Sequence, residues 1–378
     1  MKILIMFSHP WRGGRSSGAE AHAIQLMREL IARGHQIVFV ASTGRANQGT
    51  GPDGVLADYR LPFQTLNPVD KCKVHRQLVE IVGHHGIDLI HAHQRTAGYF
   101  AESTGRVTGV PAVVTVHDIW HNALFKRAHG RVFRRLIAVS NYIKKGLEDN
   151  FGIPGERIRI IHNGVDPARI EQATDEEAAR FRQEFGIGNN EVVFSLIGRV
   201  TISKGHYDLM EALRLLPADL PACRFLIVGE GPARAALQKL ARRYGLESRV
   251  NFCGFQSNIP AVMRASDVIV LPSHREPFAI TVVEAMFASR ALLVSDSGGT
   301  PEAVTDGREG LVFPLRDAEA LAHCIEQLAW DKALRLRLGD EGHRTAHRRF
   351  LLSTIIDQTE AYYGEIIAAA RTNSDLQK

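Results

Sequence analysis

At 378 residues, with 45% hydrophobic and 23% charged content, the chain is globular, too long for one ordinary α/β core and suited to two domains of about 150–200 residues each. Its net charge of +5 is uneven: residues 1–170 hold 22 Lys and Arg against 13 Asp and Glu, and the remainder 24 against 28. The front half is therefore basic, which favours an anionic partner, while four scattered cysteines without a CxxC pair fit neither a disulfide framework nor a zinc site.

The apolar run at residues 3–7 breaks at once into Ser8-His9-Pro10-Trp11. It is too short for a signal-peptide core or a membrane span, so a cytoplasmic location is expected, extending to peripheral attachment at the inner face of a membrane. Short Val, Ile and Leu runs follow at 36–41, 88–92, 112–116, 136–139 and 157–161, separated by longer amphipathic stretches. A second series occupies 192–197, 224–228, 250–252, 268–271, 291–295 and 311–313. Continuous apolar strands alternating with helices signal parallel sheets buried on both faces. Two such series predict an α/β protein of two Rossmann-like doubly wound domains facing across a cleft, with sites at the carboxyl ends of the strands. The expected domains are 1–170, 171–350 and a C-terminal helix, 351–378, packing back on the first domain.

Chemistry-bearing residues sit at the expected strand ends. Gly13-Gly14 and Gly18-Ala19-Glu20 lie in the first βα turn, where glycines let the backbone approach a ligand and a helix start offers free N–H groups. The turn is not GxGxxG, so a plain tight turn remains open. Gly198-Arg199 follows the first strand of the back half, and Lys204-Gly205 precedes a helix expected from His206. Two cations beside a helix start can clamp a diphosphate without a metal, or can simply be solvated charges. Glu276 and Glu284 flank the turn into a helix expected near Phe278. Carboxylates there can accept from the vicinal hydroxyls of a sugar, and the N–H groups of Phe278, Ala279 and Ile280 can meet phosphate.

The order of these motifs, together with His91-Ala92-His93, Val116-His117-Asp118, Val139-Ser140, His162-Asn163-Gly164-Val165-Asp166, Val228-Gly229-Glu230-Gly231 and Gly298-Gly299-Thr300-Pro301-Glu302, resembles the retaining glycosyltransferases of family 4, with the GT-B fold. The resemblance implies that Arg199 and Lys204 hold the donor diphosphate, that Glu284 takes the ribose hydroxyls and that Glu276 takes those of the transferred hexose. It implies catalytic roles for Glu276, His117, Arg199 and Lys204, with His117 against the donor sugar. Gly14 and Gly18 would approach the phosphate, Gly254 and Phe255 the base, and Glu20, His93 and Asp118 would lie on the acceptor side. An extra Arg15-Ser16-Ser17 separates the glycine elements, and Pro277 stands where many relatives carry glycine.

The implied reaction moves a hexose from a nucleoside diphosphate sugar, a UDP-sugar by preference, to a hydroxyl of a glycan or lipid-linked acceptor such as lipopolysaccharide or exopolysaccharide. It would proceed with retention, by same-face attack assisted by the leaving phosphate, and with no cofactor or metal. His84-His85 and His91-x-His93 lack a third ligand at sensible spacing. The basic, aromatic stretch 123–136 suggests an anionic membrane surface touched by Phe125 and Phe133, or an ordinary basic helix. No nucleic-acid motif accompanies the charge. Competing readings are a GT-B sugar-nucleotide epimerase, transfer to a small soluble acceptor, a dinucleotide oxidoreductase and a non-catalytic carbohydrate binder.

Overall fold

The computed structural model describes residues 1–10, 18–43, 51–120 and 130–375. The chain divides into two compact units, Met1–Asn163 with Leu352–Lys378, and Gly164–Leu351. The first division falls a little ahead of residue 170, because α5 (Pro167–Glu171), capped by the Asp166 side chain on the Ala168 N–H, already belongs to the second unit.

Among the described residues, the first unit is built on a parallel sheet ordered β3-β2-β1-β4-β5-β6-β7. Its strands are β1 (Lys2–Pro10), β2 (Gln36–Ser42), β3 (Ala57–Leu61), β4 (Leu89–His93), β5 (Ala112–Val116), β6 (Leu136–Ala138) and β7 (Ile158–Ile160). Helix α1 (Gly18–Ala32) buries Ala23, Leu26, Met27 and Leu30, a stripe at helical spacing, in one cluster with Ile3, Ile5 and Phe7 of β1. Helix α2 (Pro68–His85) starts where Asn67 accepts from the Val69 N–H and stops at Gly86, which adopts φ 61°. Helices α3 (Arg95–Thr108) and α4 (Asn141–Phe151) follow β4 and β6.

The edge strand β3 escapes the sequence pattern because Ala-Asp-Tyr-Arg-Leu has no apolar run; Asp58 and Arg60 pair with each other. The final helix, α13 (Leu352–Asp375), belongs to this unit: Ile355, Ile356, Tyr362, Tyr363 and Ile366 join the β1–β2 cluster. Arg33 pairs with Asp357 at 2.5 Å and also with Glu360, pinning the helix to the end of α1.

The second unit repeats the winding, in the order β10-β9-β8-β11-β12-β13. It comprises β8 (Val192–Ile197), β9 (Cys223–Val228), β10 (Val250–Gly254), β11 (Val268–Leu271), β12 (Ala291–Ser295) and β13 (Gly310–Phe313). After α5 come α6 (Asp175–Glu184), α7 (His206–Leu215), α8 (Arg234–Arg243), α9 (Ile259–Ala265), α10 (Ile280–Phe287), α11 (Ala318–Trp330) and α12 (Lys332–Arg349). The acidic stretch Asp175-Glu176-Glu177 opens α6, where Thr174 and Glu177 form a reciprocal capping box. In each sheet the winding reverses beside its first strand, between β1 and β4 and between β8 and β11. In doubly wound sheets such a reversal, at the carboxyl ends of the strands, is where ligands bind. No helix among the described residues is long and apolar enough to cross a membrane.

Candidate functional site

At the second unit's reversal point, backbone packing brings two distant loops together. Gly198-Arg199 leaves β8, and the short 3-10 turn Ile202–Lys204 leads into Gly205 at φ 70° and then α7. A side chain on Gly205 would place its Cβ 1.8 Å from the Pro272 carbonyl oxygen, so only glycine lets this turn lie against the loop after β11. The His274 N–H donates to the Ser203 carbonyl at 2.8 Å, and His274 Nε2 donates to Asp208 at 2.6 Å, fixing the contact. Lys204 Nζ consequently pairs with the Glu276 carboxylate, across 72 residues of sequence.

Glu276 is held from the other side too. Its carbonyl accepts from the Gly299 N–H at 2.7 Å, and Gly298, at φ 63°, passes so close that a Cβ would sit 2.1 Å from that oxygen. The Glu276 side chain is buried apart from its Lys204 partner, whereas Arg199 is exposed and has no side-chain partner among the described residues. Helix α10 starts at Ile280, two residues later than expected, with Ala279 as its cap and no side-chain hydrogen bond covering its first turn. The Val282 N–H donates to the Ala279 carbonyl at 3.1 Å, and the N–H groups ahead of it are placed to meet an anion. Phe278 instead packs on Phe350, at 5.6 Å between ring centroids. Glu284 is partly buried on α10, and that burial raises its carboxyl above the usual range, with Arg169 opposing. Gly254 ends β10 at φ 68° and accepts from the Gly229 N–H at 2.7 Å, while Phe255 beside it is 69% exposed and free to stack. His206, at the start of α7, donates from Nδ1 to the Thr201 carbonyl, and burial lowers its pKa to about 4.

The first unit gathers histidines at its own reversal point. His93, the last residue of β4, is fully buried, and its Nδ1 lies 2.9 Å from His117 Nε2, with the rings stacked. His22 of α1 meets His117 edge-on at 5.3 Å, and His91 lies 4.4 Å from His93. Tyr363 of α13 donates to His91 Nδ1 at 2.5 Å, and His91 Nε2 reaches Thr115 at 2.7 Å. Burial drives all four imidazoles toward neutrality: His22 to about 4, His91 to about 3, and His93 and His117 well below the ordinary value. The sequence pointed to His93 and His117; His22 and Tyr363 arrive from helices that no local spacing connects to them.

Glu20 is buried in the first turn of α1, which Gly18 opens. Asp118 is exposed and accepts from the Ile119 N–H at 2.7 Å. Gly13 and Gly14 lie outside the described residues, as do Phe125, Lys126 and Arg127. Phe133 corrects one expectation. It is fully buried against Trp120 and Tyr99, at 4.8 and 5.0 Å between rings, so it cannot insert into a membrane, although Arg131 and Arg134 beside it are exposed.

Comparison with known proteins places these features in a family. Residues 16–169 match the description "Glycosyltransferase Family 4", and residues 177–345 match "Glycosyl transferases group 1". The chain is 29% identical over 299 residues to alpha-D-kanosaminyltransferase of Streptomyces kanamyceticus, covering 73% of this chain and 77% of that one. It is 35% identical over 200 residues to the lipopolysaccharide core biosynthesis glycosyltransferase LpsE of Rhizobium meliloti, covering 53% of this chain and 56% of LpsE. The crystal structure of Anabaena Alr3699/HepE in complex with UDP shares the fold, with a TM-score of 0.84 at 23% identity over 97% of this chain and 100% of that one. With two doubly wound parallel sheets matched in order along the sequence, the chain belongs to the family 4 glycosyltransferases of the GT-B fold.

Proposed function

We propose that this glycosyltransferase moves a hexose from a UDP-sugar to a hydroxyl of a glycan or lipid-linked acceptor, with retention of configuration. The observation that carries the donor half of this reading is the Lys204–Glu276 pair, beside the exposed Arg199 and the uncapped start of α10. UDP in the similar HepE structure and the lipopolysaccharide role in the name of LpsE support the choice of donor and acceptor.

Departure of the diphosphate leaves positive charge on the sugar and negative charge on the β-phosphate. Preorganised cations and helix N–H groups stabilise that developing charge most where water is excluded. Arg199 and Lys204 fill this role, and Lys204, with three N–H donors, can hold Glu276 and a phosphate oxygen together. Glu276 then accepts from hexose hydroxyls and Glu284 from the ribose. Phe255 stacks on the base at Gly254. His117 is partly exposed, and desolvation with His22 and His91 beside it holds its pKa well below the ordinary value, so it serves the sugar as a hydrogen-bonding group and carries no charge. Glu20, His93 and Asp118 are assigned to the acceptor.

Arg199→Ala and Lys204→Ala should each weaken UDP binding by about 10- to 100-fold, the worth of one charge-assisted hydrogen bond, and leave uridine binding nearly unchanged. Calorimetry with both ligands tests this, and equal weakening of the two would refute the clamp. Transfer should also persist in EDTA, because the two side chains and the α10 amides take the place of a divalent ion on the diphosphate. Loss of turnover that returns only with added metal overturns that assignment. Mass spectrometry of donor and acceptor separates transfer from epimerisation, which would invert the sugar and consume no acceptor.

A further inference from the structure

Packed against Phe287 at the end of α10, the second unit carries a set of side chains that the transfer reaction does not use. Glu171 ends α5, and His343 and His347 stand four residues apart on α12, on one helical face. One ligand atom from each of the three lies within 4.8 Å of the other two. The His347 ring is partly exposed, but its Nε2 is covered and makes no hydrogen bond, with Glu171 Oε1 3.8 Å away. An unpartnered nitrogen in such a place costs free energy unless something occupies it. His343 Nδ1 donates to the Phe287 carbonyl at 3.1 Å, which leaves the Nε2 lone pair free and fixes the ring's orientation. A backbone carbonyl on the far nitrogen is the support that metal-bound histidines usually have. The two imidazoles lie 4.5 Å apart between centroids, and the Phe287 ring meets His347 edge-on at 5.1 Å.

We infer that Glu171, His343 and His347 form a binding site for a divalent transition metal of the zinc type. Two imidazoles and one carboxylate are a donor set suited to such an ion, with bonds of about 2.0–2.2 Å and ligand atoms about 3.3 Å apart in a tetrahedron. Rotation of exposed Glu171 and small ring movements on α12 close the gap from the present spacing. Glu171 and His343 also line a cavity of about 230 Å³ that contains Arg264 and Arg290. Both guanidinium groups already have partners, Arg264 in Asp175 and Arg290 in the Ala288 and Ser266 carbonyls, so water from this cavity can complete the coordination.

The position gives the site a use. Helix α5 begins just after the chain enters the second unit at Gly164, and α12 ends just before it leaves at Leu351. These segments are already joined where the Val165 N–H donates to the Phe350 carbonyl at 3.0 Å. A metal across Glu171, His343 and His347 adds a second fastening between them and stabilises this unit without taking part in transfer.

The test uses the full chain, dialysed against EDTA and titrated with Co2+ and with Zn2+. Wild type should bind one equivalent at micromolar concentration, show visible absorption bands of four-coordinate cobalt, and melt at a higher temperature with Zn2+. His347→Gln and Glu171→Gln should each lower the affinity by at least about tenfold and abolish the zinc-dependent rise in melting temperature. Glu171 is exposed, so its variant reports even if replacing His347 disturbs folding. The chain has 17 histidines, and weak scattered binding would be the same in all three proteins. Equal affinity in wild type and Glu171→Gln, or no stoichiometric binding by wild type, overturns the site. UDP binding and transfer read the donor clamp separately in the same samples.

Discussion

Glu276→Ala should reduce transfer by about 30- to 1000-fold, equivalent to about 2–4 kcal/mol of lost transition-state stabilisation, while leaving the protein folded. The side chain does little for the core: its partner is Lys204, and the loop is held by backbone contacts that the substitution keeps, namely the Gly299 N–H on the Glu276 carbonyl and the His274 N–H on Ser203. Removing the carboxylate has two consequences. The hexose hydroxyls lose their acceptor, and Lys204 loses the group that orients it, so the variant should keep much of its affinity for UDP and lose kcat with the UDP-sugar. Glu276→Gln separates the two effects. The amide can still meet hydroxyls but cannot balance the Lys204 charge, so its kcat should fall between alanine and wild type. Melting temperature and UDP calorimetry show whether each variant is intact. A folded Glu276→Ala protein with near-normal kcat rules out the assignment.

The two-sheet organisation was legible because parallel strands buried on both faces carry unbroken apolar runs, as in residues 192–197, where every position of β8 is buried. The strand that escaped, β3, lies at a sheet edge and makes its hydrogen bonds with a polar sequence. Periodicity reports burial, and an edge strand need not be buried. Candidate residues were readable where they follow strand ends, as Arg199 and Glu276 do. Their support was harder to see. Gly205 and Gly298 look like ordinary turn residues until Pro272 and Glu276 are seen packed against them. The histidine quartet and the Glu171–His343–His347 set are assembled by folding from separate helices and strands, so sequence spacing showed only their fragments. Phe133 was misplaced because a basic amphipathic stretch gives no sign that one aromatic turns inward, here onto Trp120.

Acidification from pH 7 to pH 5 should destabilise the first unit by several kcal/mol. In the folded chain His22 titrates at about 4 and His91 at about 3, and burial keeps His93 and His117 neutral as well. In the unfolded chain each titrates near 6.5. Between those values the unfolded state binds more protons, so stability is full above about pH 6.5 and falls as pH drops toward 4. At pH 5 each such histidine costs up to about 2 kcal/mol by this linkage, against a total stability of about 5–15 kcal/mol for a protein domain. Glu102, whose carboxyl is raised by burial, acts in the opposite direction over part of this range, since it favours the proton in the folded state. One carboxylate set against four histidines cannot reverse the sign. Trp120 is buried in this unit against Phe133 and Phe151, so in a variant with Trp11 and Trp330 replaced by Phe its fluorescence in urea at pH 7, 6 and 5 follows the relevant transition. The urea midpoint should fall steadily with pH. His22→Leu removes one titrating group from the quartet and should flatten that slope, even if it lowers stability at pH 7 by disturbing the contact with His117. A midpoint unchanged between pH 7 and 5 would mean that water or a counter-charge reaches these rings, and His117 could then act as a cation toward the leaving group.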